Sequence, residues 1–215
     1  MGFAFILVRL LKWFGYWFVV LWLVVCWFRV VKIFLGLFGL AGMEYTFKIV
    51  LVGESGVGKT SIIRRYIHGV FEENYRSTVG TRIFSRELDV DSKRVTLSIF
   101  EIGGQEKFRF GENVLFKGSD GVIIVFDITN EDSFQVLDDW YSQVESNLGE
   151  DVPLFLVGNK YDLSVLRRVQ MQEALIYASS LGAEYLESSA KTGKNVIKLF
   201  YGLTRKILSS PKYSS

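Results

Sequence analysis

The chain has 215 residues, 49% of them apolar, and 25 basic against 23 acidic side chains give a net charge of +2, which suits one globular domain plus an extra segment. Residues 1–42 hold Arg9, Lys12, Arg29 and Lys32 but no acid; taking those four from the 25 bases leaves 21 against 23 acids, a near-neutral remainder that gives no reason to expect nucleic acid as a partner. One cysteine, Cys26, and one histidine, His68, exclude an intramolecular disulfide and a histidine-rich metal site and argue against a histidine triad.

In chain order the first element is WFGYWFVVLWLVVCWF, residues 13–28, sixteen residues without a charge. At ~1.5 Å per residue the run covers roughly 24 Å, and snorkelling by Lys12 and Arg29 extends it toward a ~30 Å hydrocarbon core. The four bases do not share one helical face, which argues against a helix lying on a membrane surface. The expectation is a hydrophobic helix that spans a membrane, with Trp13 and Trp27 as interfacial anchors, occupying a segment 1–42 ahead of the domain. An alternative reading starts the protein at Met43, with residues 1–42 as upstream sequence, and then places it in the cytosol.

From Met43 strand-like and helix-like stretches alternate. Phe47–Val52, Thr96–Ile102, Val122–Asp127, Leu154–Val157 and Glu184–Leu186 are short apolar runs that read as buried parallel strands. Thr60–His68, Ser133–Leu148, Met171–Ser180 and Val196–Leu208 carry helical periodicity. Ile83–Val90 adds a strand joined to the next through Asp91–Lys93 as a hairpin. This predicts an α/β doubly wound sheet of six strands, mostly parallel with one antiparallel, over a domain 43–208 followed by a short polar tail 209–215. Any ligand belongs at the carboxyl ends of the strands.

The first strand runs into GESGVGKT, residues 53–60, which matches G-x-x-x-x-G-K-[ST] in its strand-to-helix context. Gly53, Gly56 and Gly58 let backbone N–H groups turn inward around phosphate, Lys59 reaches the terminal phosphates, and the Thr60 hydroxyl suits Mg2+. GNKYD, residues 158–162, follows a later strand and sets Asp162 where a carboxylate accepts two N–H donors from guanine, a pair that adenine lacks. ESSAK, residues 187–191, follows the last strand. Together these motifs make the chain resemble a Ras-like small GTPase, nearest the Rab branch, over about residues 45–208.

That resemblance implies a P-loop GTPase that hydrolyses GTP to GDP and phosphate. Ser55, Val57 and Ser61 then join the phosphate loop, with Lys59 and Gln105 as catalytic residues. Asn159 and Asp162 hold the guanine loop and base, Lys160 lies along base and sugar, and Ser189, Ala190 and Lys191 complete the pocket, the Ala190 N–H meeting the guanine oxygen. Phe71 packs on guanine. Thr78, in YRSTVG, is the first-switch threonine that reaches Mg2+ when the γ-phosphate is present. FEIGGQEKF, residues 100–108, resembles the second switch: the Gly104 N–H senses the γ-phosphate and Gln105 positions the attacking water. Thr60, Thr78 and Glu101 stand on the metal side. Exchange factors, GTPase-activating proteins and effectors are expected to dock through residues 71–82 and 101–117.

Two departures bear on the inheritance. Glu101, Ile102 and Gly103 stand where Rab-like proteins carry Asp, Thr and Ala, and the Gly-Gly-Gln that follows looks more like Arf and heterotrimeric G proteins. SSPKYSS at the end has no cysteine, so no prenylation is expected and residues 1–42 take over as the membrane anchor, with the domain on the cytoplasmic face. A nucleotide-binding scaffold that does not hydrolyse GTP, because of Glu101, is the competing function, whereas an ATP-using P-loop protein conflicts with Asp162.

Overall fold

The computed structural model describes residues 44–72, 80–104, 113–149 and 151–213. Six strands form one sheet: β1 (Glu44–Val52), β2 (Thr81–Val90), β3 (Lys93–Ile102), β4 (Gly121–Asp127), β5 (Leu154–Asn159) and β6 (Glu184–Glu187), in the order β2-β3-β1-β4-β5-β6. Only β2 runs antiparallel to its neighbour; β1 lies parallel between β3 and β4, and β5 and β6 follow in parallel. The helices are α1 (Lys59–His68), α2 (Asn113–Phe116), α3 (Asp132–Gln135), α4 (Leu137–Leu148), α5 (Met171–Ser180) and α6 (Val196–Leu208), with a 3-10 turn over Tyr161–Leu166.

The pleat of β1 decides the layering. Phe47, Ile49 and Leu51 point into a core closed by Ile62, Ile63 and Tyr66 of α1 and Leu199, Phe200 and Leu203 of α6. Val50 and Val52 point the other way, with Ile124 and Phe126, against Leu137 and Trp140 of α4 and Ala174 and Ala178 of α5. Both faces are dry, which is why the central strands read as continuous apolar runs. Tyr66 stacks on Phe200 with ring centroids 4.0 Å apart, fastening α1 to α6. The doubly wound reading therefore holds, and the chain reverses its direction of travel across the sheet beside β1, where such folds open a crevice at the strand carboxyl ends.

Several boundaries differ from expectation for local reasons. The hairpin turns on two residues, not three: Asp91 (φ 49) and Ser92 (φ 65) both lie in the left-handed region of a tight primed turn, and Lys93 already pairs with Val90. The helix expected over 133–148 breaks at Val136 (φ −89, ψ 7), because Ser133 anchors the first piece, its hydroxyl accepting from the Asp127 N–H at 3.0 Å and donating to the Asn130 carbonyl at 2.7 Å. β1 begins at Glu44 rather than Phe47, its polar start paired to β3 at Arg94 and Val95.

Residues 209–213 pack on the domain. Tyr213 sets its ring 4.8 Å from that of Phe47 and 6.2 Å edge-on to that of Tyr45. Its hydroxyl and the Lys212 ammonium both donate to Oδ1 of Asp120, at 2.6 and 2.7 Å, while Oδ2 accepts the Lys48 N–H at 2.9 Å.

Among the described residues no helix is long and apolar enough to cross a membrane. The span expected within residues 1–42, Thr78 of the first switch and Gln105 of the second lie outside the described residues.

Candidate nucleotide site

β1 ends at Val52 and the chain turns through residues 53–58 into α1. Gly58 takes φ 97, a left-handed conformation that starts the helix, and a Cβ there would run into the Asn159 amide. Lys59 is 5% exposed, and its ammonium arches back over the loop to donate to the carbonyls of Gly53 (2.7 Å) and Glu54 (2.9 Å). Gly104, just past β3, approaches so closely that a Cβ would fall on backbone atoms of Glu54 and Ser55. Thus the loop 53–58 and the chain just after β3 touch backbone to backbone.

Beside them Thr60 and Glu101 meet deep in the structure, 6% and 1% exposed, the Thr60 hydroxyl donating to Oε1 of Glu101. One hydroxyl and one carboxylate are hard oxygen donors, the set that Mg2+ takes when phosphate oxygens and water complete an octahedron. The residues present therefore fit Mg2+.

At the other end β5 delivers Asn159, 1% exposed. Its amide N–H donates to the Val57 carbonyl (2.8 Å), and its Oδ1 accepts from the Ser188 hydroxyl (3.1 Å) and the Ala190 N–H (3.3 Å). This one side chain thus joins the phosphate loop to the loop after β6. Lys160 takes a left-handed conformation (φ 67, ψ 35), which aims its ammonium 2.6 Å from Oδ2 of Asp127. Asp162 is held by the Ser189 hydroxyl, which donates to its Oδ1 at 2.5 Å.

Ser55, Gly56, Gly58, Lys59, Thr60, Ser61, Phe71, Glu101, Gly104, Asn159, Lys160, Asp162, Ala190 and Lys191 line one cavity of about 340 Å³. Gly53, Val57 and Ser189 stand behind its wall: the Gly53 carbonyl is taken by Lys59, Val57 is buried and gives its carbonyl to Asn159, and Ser189 steers Asp162. Phe71 both lines the cavity and packs on the core under α1. Sequence reasoning missed Glu72 and Leu163 in the lining, Asp127 beneath Lys160, and Arg65, which reaches the 190–191 backbone from α1. Asp127 alone carried a readable signal, an acid at the carboxyl end of a buried strand.

Behind the loops that follow β5 and β6 sits a second polar cluster. Arg167 forks onto Glu187 at 2.7 and 2.9 Å, and the Tyr185 hydroxyl donates to Glu187 Oε1 at 2.9 Å. Burial, and then the Glu187 carboxylate, push the Tyr185 phenol well above its ordinary range. The hydrogen bond to Glu187 likewise raises the Arg167 guanidinium.

The family model described as the Ras family matches residues 48–209. The chain belongs to the Ras family. It is 39% identical over 170 residues to Ras-related protein Rab-21 of Bos taurus, which covers 79% of this chain and 77% of that protein. It is also 38% identical over 165 residues to Ras-related protein Rab-21 of Dictyostelium discoideum (77% of this chain, 78% of that one) and 37% identical over 165 residues to Ras-related protein Rab-13 of Canis lupus familiaris (77% and 81%). This Ras-family chain is a small GTPase near the Rab branch. Members of the family bind GTP and GDP, generally with Mg2+, and answer to exchange factors, activating proteins and effectors.

Proposed function

We propose that the chain is a membrane-tethered switch that alternates between GTP and GDP and hydrolyses GTP slowly by itself. The observation that carries this reading is the two-ended cavity, with Lys59, Thr60 and Glu101 at one end and Asn159, Lys160, Asp162 and Ala190 at the other. Asp162 accepts the two N–H donors of guanine, the Ala190 N–H meets the guanine oxygen, and Phe71 and Lys160 flank base and sugar. Lys59 leaves the Gly53 and Glu54 carbonyls to hold the β- and γ-phosphates, aided by the inward N–H groups of residues 53–61. Thr60, Thr78 and Glu101 would hold Mg2+, which would neutralise negative charge developing on the phosphates. Gln105 positions the attacking water, and the Gly104 N–H registers the γ-phosphate. Segments 71–82 and 101–117 carry that state to regulators and effectors.

The membrane tether is residues 1–42, which hold the domain at the cytoplasmic face. The chain enters β1 at Glu44, at the end of the strand opposite to the one that leads into residues 53–58. Single-turnover hydrolysis by the full chain in detergent micelles tests the catalytic part: bound GTP should convert to GDP and phosphate, and a Gln105→Leu variant should bind equally and convert less. GTP that binds and persists unchanged would instead support the scaffold reading, to which Glu101 in place of aspartate points. Carbonate extraction tests the tether, since release of the full chain into the soluble fraction would rule out a span.

A further inference from the structure

Arg65 lies on α1, six residues beyond Lys59, and uses all three of its nitrogens on backbone carbonyls. Nε donates to Ala190 at 2.7 Å, Nη1 donates to Gly69 at 2.7 Å, and Nη2 donates to Lys191. Its Cδ stands 3.7 Å from the place a Cβ on Gly193 would occupy, so the stem packs where the 189–193 turn closes. That turn is held by the Gly193 N–H on the Ser189 carbonyl (2.8 Å) and the Ser189 N–H on the Lys194 carbonyl (3.1 Å). Gly69, with φ 70, caps α1 through its own N–H on the Arg65 carbonyl at 3.1 Å, and Phe71 enters the nucleotide cavity two residues later. A rigid fork with fixed donor directions thus joins two segments separated by more than a hundred residues of sequence.

We propose that Arg65 is a positioning residue that couples the guanine-side loop 189–191 to the stem of the first switch at residues 69–71. With Arg65 in place, the carbonyls of Ala190 and Lys191 are both held from α1, which fixes the course of the backbone beside Asn159, whose Oδ1 takes the Ala190 N–H. The same guanidinium fixes the turn that presents Phe71. Pulling residues 69–71 outward removes one of three bonds from the fork and loosens its grip on Ala190 and Lys191, so a partner that grips the first switch also opens the base pocket. This rests on the GTP/GDP reading of the cavity given above.

The test is release of fluorescently labelled GDP from the full chain in detergent micelles. Arg65→Gln should release GDP about 10-fold faster or more, on the scale of hydrogen bonds from a charged donor. Because the phosphate contacts are common to both nucleotides, its preference for GDP over ADP should fall by a similar factor, which a general loss of stability does not produce. Phe71→Ala and the double variant close a cycle: coupling predicts that the two effects on release fall short of adding. Arg65→Lys keeps the cation without the fork, so it serves where the glutamine variant fails to fold, and it too should release faster with reduced preference for GDP. In the unmodified chain, saturating GDP should slow amide exchange in residues 69–72 and 190–193 together. Unchanged release or preference in a folded variant, additive effects in the cycle, or protection of one segment alone overturns the coupling while leaving the GTP/GDP reading intact. A wild-type chain that holds no GDP overturns both.

Discussion

The Thr60 hydroxyl donates to Oε1 of Glu101, although one residue opens α1 and the other lies 41 positions on at the end of β3. Glutamate carries one methylene more than the aspartate of Rab-like proteins, and Mg2+ tolerates little error in the placement of its oxygens. A carboxylate already pressed onto Thr60 at that greater reach is expected to hold the metal less well. Glu101→Asp should therefore slow GDP release at limiting Mg2+ by about 10-fold, the lower end for a change beside a metal. GDP release from the two proteins across a magnesium titration checks this, and superimposable curves would mean that glutamate serves as well as aspartate.

Gly104→Ala should damage the site through shape alone. The added methyl meets backbone of Glu54 and Ser55, which cannot rotate away as a flexible side chain can. Overpacking of this kind costs about 1–3 kcal/mol, and here it forces the loop after β3 off the phosphate loop. Calorimetric binding of a non-hydrolysable GTP analogue should weaken more than binding of GDP, because in the proposed switch only the triphosphate meets the Gly104 N–H. Equal weakening of both would show that the approach is merely structural.

The fold was legible where burial is symmetric. β4 is buried at every position, so Val122–Phe126 appears in the sequence as an unbroken apolar run, and residues 53–60 match G-x-x-x-x-G-K-[ST] directly after an apolar strand. Legibility failed where a structure rests on contacts between distant parts of the chain. Val136 has nothing in its own identity to break a helix; the break comes from Ser133 reaching back to Asp127. Arg65 is one of two adjacent arginines on α1, and only the folded chain distinguishes it from Arg64, which pairs with Glu72 instead. The Glu44–Thr46 start of β1 was missed because its partial exposure and mixed polarity hide strand pairing that the backbone alone supplies.

Glu187→Ala should destabilise the domain by about 3 kcal/mol, since it strands the Arg167 guanidinium beside the Tyr185 hydroxyl in a mostly buried site. The two ion-pair side chains are only 17% and 8% exposed. Urea denaturation provides the measurement. A loss below about 1 kcal/mol would place the pair with ordinary surface salt bridges.

Alkaline pH should weaken the domain above about pH 10. Burial, and then acceptance by Asp138 or Glu187, raises the phenols of Tyr177 and Tyr185 above the ordinary value of about 10. Above that pH the unfolded chain releases these protons while the folded chain keeps them, so stability is fully present below about pH 10 and is lost as pH rises through the higher folded values. The slope approaches about 1.4 kcal/mol per pH unit for each such tyrosine. Urea midpoints at pH 8, 9.5 and 11 should fall steeply only in the last interval, and Tyr185→Phe should flatten that fall. A midpoint constant to pH 11 contradicts the assignment.

Tyr213→Ala should cost about 1–2 kcal/mol of stability, from the aromatic contacts with Tyr45 and Phe47 and the hydrogen bond to Asp120, and leave GDP affinity unchanged. Parallel denaturation and nucleotide titrations check both halves. Weakened GDP binding would reveal a route from this corner of the sheet to the cavity.

That corner also sets how the domain bears mechanical load. Residues 44–47 and Tyr213 lie side by side, so tension drawn between them peels the Tyr213 ring and the Asp120 bonds one after another. β1, hydrogen-bonded along both edges to β3 and β4, yields only if those ladders shear together. The tail therefore acts as a fuse: it detaches first, lengthens the chain by a few residues, and spares the far end of β1, where the phosphate loop begins.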